Sequence, residues 1–304
     1  MNTPAPASLL LLAAALFAGG CGGPSTEAGP AEGPGGAQAT APTKTETSTA
    51  AGAQGVEVPA AVRAAVDAPD RSEADKKLDA GRRPAELLAF FGMKEGMKVA
   101  ELGAGTGYTA ELLARVVGPS GAVFGQNSKF LLERFAEKPW SERLAKPVMK
   151  NVVRVDREFD DPLPPEAKNL DVVFMVLFYH DTLWMGTDRP RMLRSIFTAL
   201  KPGGAFAVVD HAGRDGTGVT EVQTLHRIEE KVLKDEIQAA GFRLEGEGSF
   251  LRNPSDKRDW NASPMSAGEQ RGMSDRFVLK FVKPGQLGSD AGKSPVNSIE
   301  LKVK

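Results

Sequence analysis

The strongest constraint on the fold of this chain lies in residues 98–126, where a glycine-rich turn separates two short apolar segments. Residues 98–102 and 122–126 predict strands, and the amphipathic residues 108–117 between them predict a helix. The turn at residues 103–107 reads Gly-Ala-Gly-Thr-Gly. Glycines there let a ligand approach the backbone amides at the start of the helix. A strand, glycine turn and helix in this order indicate a site for an adenosine-bearing cofactor.

Strands and helices alternate through most of the chain. Strands are also predicted at residues 151–156, 170–178, 205–210, 243–250 and 276–282, and helices at 60–66, 84–91, 191–200 and in a longer stretch that ends at Ala240. The run at 170–178 is apolar throughout, as expected for a central parallel strand covered on both faces. This alternation predicts an α/β fold, with a mostly parallel sheet, right-handed crossovers and helices on both faces.

The amino-terminal residues have a different character. Residues 9–18 form an apolar run of ten residues, too short to span the hydrocarbon core of a bilayer as a helix. Cys21, the only cysteine, follows two glycines. Residues 1–21 therefore resemble a bacterial lipoprotein signal peptide, which implies export and a lipid anchor at Cys21 on the periplasmic side of a membrane. The alternative is an alanine-rich disordered leader. Once Cys21 is lipidated, no thiol remains for disulfides, metal sites or nucleophilic catalysis.

Composition also divides the rest of the chain. Residues 22–55 contain no Val, Leu, Ile or aromatic residue, so they cannot bury enough apolar surface to offset the entropy of ordering. They are predicted to be a disordered linker, and residues 285–304, rich in Gly, Ser and Lys, a flexible tail. The intervening residues 56–284 are predicted to form one domain.

An acidic residue lies near the glycine turn. Glu101 precedes the first glycine by two positions, so residues 101–107 resemble the motif (Asp/Glu)-x-Gly-x-Gly-x-Gly of the class I S-adenosylmethionine-dependent methyltransferases. The Lys-Pro-Gly-Gly turn at 201–204 is also frequent in that family. The resemblance covers about residues 82–284. It implies a Rossmann-like, seven-stranded sheet with an antiparallel last strand, S-adenosylmethionine as cofactor, and methyl transfer to a small molecule.

The resemblance also implies a set of cofactor-binding residues. Glu101 would lie near the methionine end of the cofactor, and Asp156, which closes the third strand, would contact the adenine amine. Gln126-Asn127 stands where the family usually has an acid that accepts hydrogen bonds from the ribose hydroxyls. A hydrogen bond to an amide lacks charge assistance and is weaker by about 1 kcal/mol. Either the affinity for the cofactor is modest, or the amide pair is common to a subfamily. The implied residues are Glu101, Gly103, Ala104, Gly105, Thr106, Gly107, Gln126, Asn127 and Asp156.

Two other classes of function fit the sequence poorly. A short-chain dehydrogenase would need Tyr-x-x-x-Lys, but the only tyrosines are Tyr108 and Tyr179, and position 183 is Leu. The 38 basic residues nearly balance the 39 acidic ones, for a net charge of -1, and no basic run stands out. A nucleic-acid backbone is therefore not the expected partner.

All three histidines fall in the second half of the sheet. His180 follows the fourth strand, His211 the fifth, and His226 the loop after that. Ligands of open parallel sheets bind at the carboxyl ends of the strands. His180 or His211 is therefore our candidate base for an attacking hydroxyl or amine, with Asp181 or Asp210 orienting it.

The same region holds further candidate residues. Arg227 and Tyr179 are candidates for positioning an anionic or polar substrate, alongside His226 as a third histidine. An alternative is that the three histidines and a carboxylate bind zinc or iron. Asp79 and Arg83 either line the cofactor pocket or belong to a solvated helix start. The tryptophans at positions 140, 184 and 260 either wall the substrate pocket or pack in the core.

Export conflicts with a cofactor that is made in the cytoplasm. The expected function is methyl transfer to a small-molecule O- or N-nucleophile by an envelope-anchored enzyme. The alternative is a non-catalytic envelope module that keeps the fold to bind a nucleoside-like or other small ligand.

Overall fold

A seven-stranded sheet forms the centre of the computed structural model, which describes residues 56–285. The strand order is β3-β2-β1-β4-β5-β7-β6, and β7 runs antiparallel to both neighbours. The strands are β1 (Lys98–Leu102), β2 (Ala122–Asn127), β3 (Val152–Asp156), β4 (Leu170–Val176), β5 (Leu200–His211), β6 (Arg243–Gly248) and β7 (Arg276–Val282). The predicted α/β, Rossmann-like sheet with an antiparallel last strand is confirmed.

Helices cover both faces of the sheet. They are α1 (Ala60–Val66), α2 (Glu73–Arg82), α3 (Pro84–Phe90), α4 (Tyr108–Val117), α5 (Lys129–Leu131), α6 (Glu137–Leu144), α7 (Tyr179–Trp184), α8 (Arg189–Ala199) and α9 (Glu230–Ala239). Helices α8 and α9 pack on one face of the sheet, and α1, α3 and α4 on the other. Consecutive residues of β4 alternate between these two cores, which is why its sequence is apolar at nearly every position.

The fourth strand is shorter than predicted. The apolar run to residue 178 suggests a longer strand, but β4 ends at Val176. Leu177 adopts a left-handed backbone with φ of 57°, and its N–H donates to the carbonyl of Val209 at 2.7 Å. The chain therefore turns out of the sheet, and α7 begins at Tyr179, at the carboxyl end of β4.

The long helix predicted to follow β5 is also shorter. It begins only at Glu230, and residues 212–229 form turns that return to the sheet. Ile228 N–H donates to the carbonyl of His211 at 3.1 Å, and Gly213 N–H donates to the carbonyl of Ile228 at 2.7 Å. This loop brings His226 back to the edge where β4 and β5 end.

The predicted signal peptide, the linker and residues 286–304 lie outside the described residues. Within residues 56–285, no helix is both long and apolar enough to cross a membrane.

Candidate active site

The glycine turn has the backbone that its sequence predicts. Gly103, Gly105 and Gly107 have φ values of 68°, 55° and 86°, a region that L-residues rarely adopt. A Cβ on Gly107 would lie 2.3 Å from the ring of the fully buried Trp140, and one on Gly103 would lie 2.9 Å from the ring of Phe178. A Cβ on Gly105 would meet only one atom, at 4.0 Å, so the space above this residue is open.

The amide pair at the end of β2 holds this turn in place. Gln126 Oε1 accepts a hydrogen bond from Gly103 N–H at 2.9 Å, and Asn127 Oδ1 accepts one from Gly105 N–H at 2.7 Å. Gln126 Nε2 donates to the carbonyl of Arg157 at 2.6 Å. Both side chains are fully buried. The amide pair therefore fixes the backbone of the turn. This role is separate from the ribose contact that the resemblance implies.

Glu101 is buried beside the turn. Burial raises the pKa of its carboxyl to about 8, although a hydrogen bond from Thr109 opposes the shift. Among the described residues, Glu101 Oε2 has no hydrogen-bond partner. A buried carboxyl oxygen left in this way suits a cationic group of a ligand, because a nearby positive charge would favour the ionised carboxylate.

The other predicted cofactor residues considered are Ala104, Thr106 and Asp156. Ala104 N–H donates to the carbonyl of Gln126 at 2.9 Å, and the carbonyl of Thr106 accepts from Arg143 Nε at 2.6 Å, so both belong to the framework of the turn. Asp156 ends β3, is exposed, and pairs with Arg154 at 2.9 Å. The adenine contact predicted for Asp156 stays a prediction.

The segment before the first strand lies against the turn. Asp79 on α2 pairs with Arg71 at 2.7 Å and accepts a hydrogen bond from the hydroxyl of Tyr108, the first residue of α4, at 2.5 Å. Arg83 instead pairs with Glu86 and donates to a backbone carbonyl. Of the two residues considered from the sequence, Asp79 is the one in contact with the start of the cofactor helix.

The second half of the site forms around Asp210, at the end of β5. The Asp210 carboxylate accepts hydrogen bonds from the ring Nδ1 of His180 at 2.7 Å, from the backbone N–H of His180 at 2.8 Å, and from the backbone N–H of His211 at 2.8 Å. Burial disfavours a charged imidazole, but Asp210 and Asp181 outweigh it and raise the pKa of His180 to about 10. The expected orienting role of Asp210 thus fits the geometry.

Three side-chain atoms converge beyond His180. Its Nε2 lies 3.2 Å from His226 Nδ1 and 3.2 Å from Asp181 Oδ1, and the last two atoms are 3.1 Å apart. Trp184 Nε1 donates to the same Asp181 oxygen at 2.7 Å. Burial raises the pKa of Asp181, but hydrogen bonds from His180 and His226 lower it well below its usual value. These residues, His180, Asp181 and His226, are called the histidine–aspartate cluster below.

His211 is separate from this cluster. Its ring lies 5.7 Å from that of His180, and its Nδ1 forms a hydrogen bond of 2.7 Å with the hydroxyl of Ser274. Burial and the nearby positive charge of His180 lower the pKa of His211 well below the usual value. The structure therefore does not bring the three histidines together as one set of metal ligands. The third side chain beside His180 and His226 is Asp181, and not His211.

The predicted substrate contacts of Arg227 and Tyr179 do not fit the structure. Arg227 is fully buried, pairs with Asp256 at 2.9 Å and lies over the ring of Trp260. Tyr179 is also fully buried, and its hydroxyl donates to Glu236 at 2.9 Å. Their polar groups are satisfied within the protein, so we reassign both residues to the framework behind the site.

The tryptophans divide between packing and the site. Trp140 is in the core beneath the glycine turn and Trp260 stacks on Arg227, whereas Trp184 borders the histidine–aspartate cluster and is 37% exposed. Phe178, Asp256 and Ser274 also contribute to this region and are not predicted from the sequence. Asp256 and Ser274 lie in the long loop between β6 and β7, where no local pattern marks them.

The two halves of the site adjoin through Phe178. This residue follows β4, lies against Gly103, and stacks on Phe159 with ring centroids 4.7 Å apart. His180 is only two residues further along the chain. The ends of β1, β4 and β5 therefore present the glycine turn and the histidine–aspartate cluster side by side, as expected for a ligand crevice at the carboxyl edge of a parallel sheet.

Comparison with known proteins agrees with this architecture. The family model described as "Methyltransferase domain" matches residues 93–245, and the chain belongs to this family. The prediction of a class I S-adenosylmethionine-dependent methyltransferase, with S-adenosylmethionine as its cofactor, is confirmed.

Several solved structures are similar to this chain. A SAM-dependent methyltransferase from Aquifex aeolicus is 22% identical, with a TM-score of 0.48 over 69% of this chain and 97% of that one. An arsenic(III) S-adenosylmethionine methyltransferase from Chlamydomonas reinhardtii is 18% identical, with a TM-score of 0.47 over 76% and 75% of the two chains. Fibrillarin from Aeropyrum pernix, in complex with natively bound S-adenosyl-L-methionine, is 15% identical, with a TM-score of 0.41 over 62% and 68%.

The residues at the glycine turn fit the cofactor. Glu101 offers a buried carboxyl oxygen without a partner among residues 56–285, and the space above Gly105 is open. A cationic amino-acid group would favour the ionised form of Glu101, and the open space lets a ligand approach the backbone of the turn. The amide oxygens of Gln126 and Asn127 already accept hydrogen bonds from the turn.

Proposed function

We propose that this protein transfers a methyl group from S-adenosylmethionine to an oxygen or nitrogen atom of a small molecule. The observation that carries the proposal is the histidine–aspartate cluster beside the cofactor turn. His180 itself is 3% exposed at its side chain, but Asp181 and His226 are 16% and 23% exposed. An acceptor in the crevice would therefore reach lone pairs of both residues.

The chain's own residues would hold and align the reactants. The glycine turn and Glu101 would hold the cofactor, which when bound supplies an electrophilic methyl group. The histidine–aspartate cluster would orient the acceptor by hydrogen bonds, and alignment of this kind accounts for much of the acceleration in group transfer. A neutral hydroxyl or amine loses a proton on methylation, and the partly exposed imidazole of His226 is the group of the cluster placed to accept it.

The balance of charge supports a small acceptor. Basic and acidic residues are nearly equal in number, so the chain lacks the excess of positive charge typical of proteins that bind a nucleic-acid backbone. The cluster also lies at the carboxyl ends of β4 and β5, the position at which open parallel sheets bind their ligands.

Calorimetry with S-adenosylmethionine on the full chain tests the first requirement. We expect saturable binding, weakened by Gly105→Ala, because the added methyl group enters the open space above the turn. Absence of binding at millimolar cofactor would reject the proposal.

Turnover is the second requirement. S-adenosylhomocysteine released from the full chain is measured with panels of small phenols, carboxylic acids and amines. We expect one class to be methylated, and His226→Ala to lower kcat with little change in cofactor affinity. Tight cofactor binding without turnover on any class would favour the non-catalytic module.

We further propose that the domain is held at the cell envelope by a lipid on Cys21. The support is the apolar run at residues 9–18 followed by the only cysteine of the chain. Membrane fractionation of the wild-type chain and a Cys21→Ser variant tests this proposal. Equal release of both proteins into the soluble fraction would contradict it.

A further inference from the structure

The histidine–aspartate cluster has the geometry of a set of metal ligands. His180 Nε2, His226 Nδ1 and Asp181 Oδ1 form a triangle with sides of 3.1 to 3.2 Å. Two ligand atoms on a tetrahedral zinc ion, each about 2.0–2.1 Å from the metal, are about 3.3 Å apart. A single ion in the triangle would therefore contact all three atoms at ordinary bond lengths.

Hydrogen bonds account for the triangle only when His180 carries a hydrogen atom on both ring nitrogens. His180 Nδ1 faces a carboxylate oxygen of Asp210 at 2.7 Å, so this nitrogen carries a hydrogen atom. A neutral His180 then has only a lone pair at Nε2, and Asp181 Oδ1 has only lone pairs. His226 Nδ1 can offer one hydrogen atom to its two neighbours, which leaves Nε2 facing an anionic oxygen at 3.2 Å. A metal cation between the three atoms takes the place of the second hydrogen atom on His180 and satisfies all three.

The surroundings of His180 provide an independent indication. Ligating histidines in metal sites usually donate their other ring N–H to a carboxylate, which fixes the ring and its tautomer. Asp210 does this for His180, and it is itself fully buried and fixed by two backbone N–H groups. Asp210 is therefore a positioning residue for the ligand rather than a ligand itself.

We propose that His180, Asp181 and His226 bind one divalent transition-metal ion of the zinc type. Two imidazole nitrogens and one carboxylate oxygen select such an ion over Mg²⁺ or Ca²⁺, which prefer oxygen ligands. The partial exposure of Asp181 and His226 leaves one side of the ion open to a water molecule or to an oxygen or nitrogen donor of the acceptor. Three protein ligands with an open position are typical of catalytic rather than structural zinc sites.

Metal binding is measured on the full chain, with Cys21→Ser as the background so that a free thiol does not bind zinc. The protein is treated with a chelator, dialysed, and titrated with Zn²⁺ and with Co²⁺, while Mg²⁺ serves as a competitor. We expect one ion per chain by elemental analysis, visible absorption of four- or five-coordinate Co²⁺, and no displacement by excess Mg²⁺.

Variants then test the ligand assignment. His226→Ala and Asp181→Asn are expected to weaken Zn²⁺ binding by more than about 100-fold, and Asp210→Asn by about 10- to 100-fold because it only orients His180. His211→Gln is the matched control, since this buried histidine bonds to Ser274 and lies outside the triangle. Its metal content should equal that of the background protein. Thermal unfolding shows that each variant is folded.

An ion content near zero after loading would overturn the proposal and leave a protonated His180 as the cation in the triangle. Equal binding by the background protein, His226→Ala and Asp181→Asn would overturn it as well. Because the readout is metal content, this result is independent of whether methyl transfer is detected.

Discussion

The two halves of the candidate site, the glycine turn and the residues around Asp210, are stabilised in different ways. Around the glycine turn, side-chain amides hold a backbone in place, and the partners, Gln126 with Gly103 and Asn127 with Gly105, are 23 and 22 residues apart in one βαβ unit. Around Asp210, charged and ring groups contact one another, and the pairs His180–Asp210, His180–His226 and His211–Ser274 join residues that are 30 to 63 positions apart. The first half depends on backbone conformation, and the second on buried charge. Substitutions should therefore damage the two halves in different ways.

Arg227→Gln should have the largest effect, because it breaks a buried ion pair behind the histidine half. Arg227 and Asp256 are 0% and 1% exposed at their side chains. Removing one partner of such a pair lowers the free energy of unfolding by about 3–5 kcal/mol, since the other charge stays buried without compensation. Urea denaturation monitored by fluorescence measures the change.

Arg243→Gln is the control for this comparison, because its ion pair with Glu245 is largely exposed and contributes within about 0.5 kcal/mol. If Arg227→Gln instead leaves stability unchanged and raises the KM for the acceptor, Arg227 positions substrate, as the sequence first suggested.

A pair of glycine substitutions tests the other half. Gly107→Ala should lower the free energy of unfolding by about 3 kcal/mol, because the residue has a φ of 86° and its Cβ would lie 2.3 Å from the Trp140 ring. Gly105→Ala should lower it by only about 1 kcal/mol, since the space above is open. Calorimetry should nevertheless show weaker cofactor binding for Gly105→Ala. Similar stabilities of the two variants would contradict the packing described here.

This difference explains what the sequence could predict. The strands, the turn and the roles of its glycines follow from local pattern, because one contiguous stretch contains the whole unit. The Asp210–His180 contact could also be expected from the sequence, since the two residues lie at the carboxyl ends of neighbouring strands. The pairing of Arg227 with Asp256, and of His211 with Ser274, depends on a loop between β6 and β7 that has no periodic pattern. The end of β4 at Val176 was likewise not predictable, because the sequence stays apolar to residue 178 while Leu177 adopts a positive φ.

The glycine-turn half contains a buried carboxyl, that of Glu101, which should make stability depend on pH. Glu101 is fully buried, and its pKa is raised to about 8 from an unfolded value near 4.5. Between these values the folded state binds more protons than the unfolded state, so stability falls as pH rises. We expect the free energy of unfolding to decrease by about 2 kcal/mol between pH 5 and pH 7 from this group.

Glu101→Gln removes that titration, and its denaturation curves should be correspondingly less sensitive to pH. The substituted protein should also bind S-adenosylmethionine with little pH dependence, whereas wild-type binding should strengthen toward pH 8 as the carboxylate forms. Identical pH profiles for the two proteins would show that the carboxyl of Glu101 does not titrate in this range.

The smallest effect is expected from Gln126→Glu, which introduces an acid into the amide pair Gln126-Asn127, where the resemblance implies that the family usually has one. A carboxylate would accept the hydrogen bond from Gly103 N–H more strongly, but it has no hydrogen for the carbonyl of Arg157, now 2.6 Å from Gln126 Nε2. Two oxygens would then face each other in a buried site, at a cost of about 1–2 kcal/mol. If the amide chiefly fixes the turn, the variant loses stability and gains no cofactor affinity. If the position chiefly binds ribose, S-adenosylmethionine affinity rises instead. Denaturation and calorimetry on the same preparation decide between these roles, and Gln126→Leu, which can neither accept nor donate, should be worse than Gln126→Glu in both assays.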